Sequence, residues 1–130
     1  MVGIVIVSHS VKIAEGVKEL ASQMARKDQL IIAAGGTNTG DIGSDPMKIQ
    51  AAIEAADKGD GVAVFADLGS AVMSVGLAKE MIDPQLAQRV CLANAPIVEG
   101  AIAGAVEAAM GSPLEKVLET AYGARNMEKQ

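Results

Sequence analysis

Four short apolar runs, each followed by a stretch in which apolar residues return every three or four positions, constrain the fold more than any other feature. The first, residues 2–7 (Val-Gly-Ile-Val-Ile-Val), is the most β-branched and predicts a strand buried on both faces, as inside a parallel sheet. Residues 29–34, 61–66 and 89–93 are the other three strand candidates. Strand and helix alternate four times and one extra helix follows, which predicts an α/β chain. The expected architecture is an open, mainly parallel four-stranded sheet with helices on both faces and right-handed crossovers.

The helices carry their own signals. Val11, Ala14, Val17, Leu20, Ala21 and Met24 recur at helical spacing with Lys12, Glu15, Lys18 and Glu19 between them. Gly16 inside this helix costs about 1 kcal/mol relative to alanine and is expected to mark a close packing contact. Asp45-Pro46 predicts an N-cap and first-turn proline, with Ile49, Ala52, Ile53 and Ala56 as the buried stripe and Gly59 as the stop. The third helix, from residue 71 toward Ile82, is apolar on more than one face, which predicts a subunit contact, and Asp83-Pro84 is expected to end it. An alanine-rich helix spans residues 97–110. Ser112-Pro113-Leu114-Glu115 reads as a capping box that starts a last helix, and residues 125–130 are expected to fray.

At 130 residues the chain is expected to be one domain, residues 1–130, with a real core. Half the residues are hydrophobic but only 2% are aromatic, so Ala, Val, Ile, Leu and Met must fill that core. A net charge of -5 argues against nucleic-acid or anionic-membrane partners, which favour a basic face. No apolar run approaches the roughly 20 residues of a membrane helix, and no basic leader precedes one. Cys91, the lone cysteine, lies in an apolar run and reads as an inert core residue; a reducing cytoplasm is the expected setting.

His9 is the only histidine and falls where the first strand gives way to a helix. Ligands of open α/β sheets sit outside the strands' carboxyl ends, beside helix N-termini that favour anions. His9 is therefore read as a phosphoryl carrier, against the plainer reading of a polar tip at the sheet margin. The third strand repeats the pattern, with Asp67 followed by Leu68-Gly69-Ser70 opening a helix. A flavodoxin-like strand order 2-1-3-4 brings His9 and Asp67 together at the switch point. Neutral imidazole attacks phosphorus through one nitrogen while the other hydrogen-bonds a carboxylate, which fixes the tautomer and steadies the cation that forms; that is the role expected of Asp67, against or alongside the plainer one of a helix N-cap. Backbone N–H groups at Ser10, Gly69 and Ser70 are expected to receive phosphoryl oxygens. The glycine-rich stretch 35–44 lacks the Gly-Lys-Ser/Thr end of a P-loop. Either it is a flexible connection or its N–H groups and Thr37 line the histidine's pocket.

Other chemistries are poorly supplied. Zinc sites need at least three protein ligands, which one histidine and one apolar-run cysteine do not furnish, and no metal or cofactor is expected. No Gly-x-Ser-x-Gly elbow is present, and Ser8 and Ser10 are too close in sequence to His9 for productive hydrolase geometry.

Val5-Ile6-Val7-Ser8-His9-Ser10, Glu15-Gly16-Val17, Asp67-Leu68-Gly69-Ser70-Ala71 and Ala95-Pro96-Ile97-Val98-Glu99-Gly100 resemble, in order and over nearly the whole chain, the DhaM-type phosphotransferase subunit of phosphoenolpyruvate-dependent dihydroxyacetone kinase. The family is similar in fold to the mannose-type IIA domain of the sugar phosphotransferase system and is typically homodimeric. The resemblance implies a relay. The histidine matching His9 takes a phosphoryl group from phospho-HPr and gives it to ADP on the DhaL subunit, and the ATP formed phosphorylates dihydroxyacetone held on DhaK. Asp67 matches the carboxylate that pairs with this histidine. Some members carry HPr-like and enzyme I-like domains downstream; these residues include no such domain and no second histidine, so a separate donor is expected. The nearest alternative is a mannose-type IIA subunit serving a sugar permease. A non-catalytic small-ligand binding or regulatory module also fits the fold, and a chelatase-like protein fits less well for want of further metal ligands.

Overall fold

A computed structural model describes residues 1–130. Strand β1 (Gly3–Ser8) leads to helix α1 (Val11–Ser22), β2 (Ile31–Gly35) to α2 (Pro46–Ala56), and β3 (Val62–Ala66) to α3 (Gly69–Met81). A one-turn helix α4 (Pro84–Ala87), strand β4 (Val90–Leu92), and helices α5 (Ile97–Ala109) and α6 (Leu114–Gly123) complete the chain, with a 3-10 turn at Ala124–Asn126. The four strands are all parallel in the order β2-β1-β3-β4, as expected.

Alternation along the strands divides the core. Ile4 and Ile6 of β1 with Ala63 and Phe65 of β3 pack against α1, α5 and α6. Val5 and Val7 with Val62 and Val64 pack against α2 and α3. Both faces of the central strands are thus covered, which is why they read as continuous apolar runs rather than alternating ones. No helix is long and apolar enough to cross a membrane.

The second helix forms as its sequence predicts: Asp45 accepts from the Met47 N–H, Pro46 opens the first turn, and Ile49, Ala52, Ile53 and Ala56 are buried. Several local expectations are completed or corrected by the structure. Asp83-Pro84 ends α3 but also begins α4, because the Asp83 side chain caps the Gln85 N–H. Gly16 faces open space and marks no contact. Ser112 does not cap α6; its hydroxyl donates to Glu107 on α5, which also accepts from Thr120 at 2.7 Å. Those bonds hold the Glu107 carboxyl below its ordinary range and tie α5 to α6, and Pro113 takes the N-cap position. Cys91 is half-buried on the edge strand β4 rather than sealed in the core. The tail folds back: Arg125 donates to the Asn94 carbonyl and lies 3.9 Å over the Tyr122 ring, and Lys129 pairs with Glu99 at 2.7 Å.

Candidate functional site

Register places the site. Val7 of β1 stands opposite Ala66 of β3, and Ser8 opposite Gly35 of β2. One step beyond, at the carboxyl edge of the two central strands, Ser8, His9 and Asp67 meet. A one-residue slip would turn every one of these side chains to the other face.

His9 Nδ1 lies 2.8 Å from Asp67 Oδ1. An ionised carboxylate only accepts, so Nδ1 carries a proton and, in the neutral ring, Nε2 keeps its lone pair. Asp67 Oδ2 accepts from the Ser8 hydroxyl at 2.7 Å and from the His9 backbone N–H at 3.1 Å, while Oδ1 also accepts from the Leu68 N–H at 2.7 Å. Burial works to raise the Asp67 pKa, but the donors from Ser8, His9 and Leu68 outweigh it and hold the carboxyl below its ordinary value. Nε2 points outward, in contact with the Ser70 hydroxyl. The imidazole is 20% exposed and its acid 13%, so the ring is reachable while the carboxylate behind it is shielded.

The other expected residues take distinct places. Ser70 stands at Nε2, and Gly69 and Ser70 form the first turn of α3. That turn has neither a side-chain cap nor an acid, so its positive end is open toward an anion. Leu68 rather than Asp67 is its N-cap residue, so Asp67 is free for the imidazole. The Ser10 N–H is already taken by Ser8 Oγ at 3.0 Å, and Ser10 offers its hydroxyl, which also caps α1 by accepting from the Ile13 N–H. Thr37 turns its hydroxyl to Thr39 at 3.1 Å and to the Asp41 N–H, within its own loop.

That loop is clipped down rather than slack. The Gly36 N–H donates to the Ser8 carbonyl at 3.0 Å and the Gly43 N–H to the His9 carbonyl at 2.9 Å. Gly35 and Gly36 permit the approach. A Cβ on Gly35 would meet the Ser10 carbonyl oxygen at 2.6 Å, and Gly36 adopts φ +71, a left-handed conformation that favours glycine. Lys48 of α2 donates to the Gly35 carbonyl at 2.6 Å and to that of Thr37 at 3.3 Å, and Ser44 bonds Ser74 of α3 at 2.6 Å. A cleft of about 440 Å³ opens between this loop and α1, walled by Ser10, Val11, Lys12, Gly40 and Ile42. His9 is not among its walls; its partly exposed ring lies outside the cleft, next to Ser10.

Sequence reasoning gives no role to Lys48 or Ser44, and reads Ser8 only as a small hydroxyl donor beside His9, not as the partner of Asp67. For Ser8 a signal existed: apolar runs 2–7 and 61–66 end in step, so Ser8 and Asp67 are each the first residue past their run. Lys48 and Ser44 carry no comparable local signal, since their partners lie on other elements.

Residues 3–118 match the mannose-type IIA family, described as the PTS system fructose IIA component. The PEP-dependent dihydroxyacetone kinase phosphoryl donor subunit DhaM of Klebsiella michiganensis is 46% identical over 127 residues, covering 95% of this chain and 27% of that protein. The chain thus spans about a quarter of that relative's length. The corresponding subunit DhaM of kinase 2 from Listeria innocua is 35% identical, with 92% of this chain and 95% of that protein covered. A crystal structure of a protein of unknown function, EF1359, superposes with a TM-score of 0.85 at 39% identity, over 100% of this chain and 98% of that one. With the sheet order and these likenesses in agreement, the chain belongs to the mannose-type IIA family and, within it, to the DhaM group.

Proposed function

We propose that residues 1–130 act as one phosphocarrier domain, a phosphotransferase subunit in which His9 takes a phosphoryl group from phospho-HPr and passes it to ADP bound on a DhaL subunit. The observation that carries this reading is the 2.8 Å bond between His9 Nδ1 and Asp67, which leaves the Nε2 lone pair at the surface. On loading, the N–P bond of phospho-HPr breaks and a bond from phosphorus to Nε2 forms. Nδ1 keeps its proton, and Asp67 offsets the imidazolium charge. The Ser70 hydroxyl must swing off Nε2 and then donates to a phosphoryl oxygen, joined by the Gly69 and Ser70 N–H groups and the Ser10 hydroxyl. Thr37 belongs to this anion pocket only if its loop opens. On discharge an oxygen of the ADP β-phosphate attacks phosphorus, the bond to Nε2 breaks and neutral imidazole returns. The ATP made on DhaL then phosphorylates dihydroxyacetone held on DhaK.

The relatives' designation as phosphoryl donor subunits supports the acceptor, and the open surface position of His9 suits a partner that is itself a protein. A homodimer is part of the reading. Val72, Met73, Leu77 and Met81 of α3 are all exposed, an apolar face that a second copy would cover. The family description favours one other reading, a IIA subunit that serves a sugar permease.

With phosphoenolpyruvate, enzyme I and HPr, the protein is expected to gain an acid-labile, alkali-stable phosphoryl group that His9→Ala does not accept. Normal labelling of that variant would refute the assignment. Labelled protein is then mixed with ADP-loaded DhaL or with a sugar permease: ATP formation supports the kinase relay, and discharge to sugar supports the permease reading.

A further inference from the structure

We propose that Ser8 is a positioning residue for phosphoryl transfer, fixing the Asp67 carboxylate so that a single oxygen faces the imidazole. The inference rests on the carrier reading above. The Ser8 side chain is wholly buried, and its hydroxyl donates to Asp67 Oδ2 at 2.7 Å while accepting from the Ser10 N–H at 3.0 Å. Oδ2 also takes the His9 N–H at 3.1 Å, so both donors that hold it come from the tip of β1. Oδ1 is left with the Leu68 N–H and His9 Nδ1. Four donors from three residues fix the carboxylate plane, and the imidazole meets one acceptor at one angle.

This matters because histidine left to itself favours the tautomer protonated at Nε2, which has no lone pair where phosphorus must arrive. Asp67 enforces the other tautomer only while its plane is held. Without the Ser8 hydroxyl, Oδ2 keeps only the longer backbone bond and the Ser10 N–H loses its acceptor. With one of its four donors gone the carboxylate is held less firmly in plane, and the enforced tautomer relaxes toward a mixture.

Nitrogen NMR of ring-labelled His9, in the absence of any phosphoryl donor, reads the tautomer directly. The native protein and Ser8→Thr are expected to hold the proton on Nδ1, and Ser8→Ala to show both forms. Phosphorylation by phospho-HPr in Ser8→Ala should lose about tenfold in limiting rate, with the half-saturating HPr concentration unchanged. In an Asp67→Ala background Ser8→Ala should cost nothing further, since it acts through that acid. An unaltered tautomer and limiting rate in folded Ser8→Ala, or an undiminished second loss in the double variant, would overturn the proposal. If Ser8→Ala does not fold, Ser8→Cys, similar in size and a weaker donor, supplies the same comparison. Should the native protein accept no phosphoryl group while the tautomer still follows the Ser8 hydroxyl, the carrier reading falls and the orienting role stands.

Discussion

Asp67 is under two opposing influences. Burial disfavours its charge, and donors from Ser8, His9 and Leu68 favour it more strongly, so it stays ionised throughout the neutral range. An ionised partner can do two things: choose the tautomer before transfer and offset the imidazolium after it. Asp67→Asn keeps the shape and an acceptor oxygen but removes the charge. Its phosphorylation rate is expected to fall about 100-fold at unchanged HPr half-saturation, in line with the roughly 1.5–3 kcal/mol of a hydrogen bond to a charged group. A rate equal to the native one in rapid-quench measurements would limit Asp67 to geometry. His9 and Asp67 were legible in the sequence because each is an ionisable residue directly off an apolar run. The loss of the Ser10 N–H to Ser8 was not, because it depends on how the tip of β1 bends back on itself.

At the scale of elements, the glycine-rich loop shows how a stretch that reads as slack becomes rigid. Its backbone donates to the carbonyls of both Ser8 and His9, and Lys48 gathers two of its own carbonyls from α2. Removing the Lys48 ammonium leaves those carbonyls to water and frees the loop to lift. In Lys48→Met, amide exchange at Gly36 and Gly43 is expected to speed up at least tenfold, with a several-fold slower phosphorylation of His9. Unchanged exchange at both glycines would show that the loop holds itself. Periodicity sufficed for the four strands and the α2 stripe because each buries a face over several turns or pleats. It failed where a partner on another element decided the outcome. Glu107 captures Ser112 from its expected cap, and Glu99 and Asn94 hold a tail expected to fray. α4 was missed for a different reason, since the Asp83-Pro84 pair that stops one helix has the chemistry to start another.

Across the whole molecule, function and stability are assigned to opposite ends of the sheet. The carboxyl edge carries His9, Asp67 and the open turn of α3, whereas the amino edge is closed by Arg89, just before β4, bonding Asp57, at the end of α2, at 3.1 and 2.6 Å. A five-residue strand separates them by about 17 Å, beyond the reach of a screened surface pair. The Arg89 hydrogen bond is the main cause holding the Asp57 carboxyl below its usual range, against the opposing effect of burial, with the Gly59 N–H adding to it. A depressed folded-state pKa contributes stability that is fully present above the unfolded value of about 3.9 and is lost as pH falls through the folded one. Asp57→Asn should therefore melt about 4 °C below the native protein at neutral pH, since the pair is only partly shielded. The gap should begin to narrow below about pH 4 and close only once the pH has passed below the depressed folded-state value, where the native carboxylate is protonated too. His9 should be phosphorylated at the native rate in the same variant. Melts of both proteins at neutral and acid pH, paired with the labelling assay, test this division: a gap that persists in acid would remove the ionic origin of the stability, and a slowed His9 would mean that the two edges are coupled through β3.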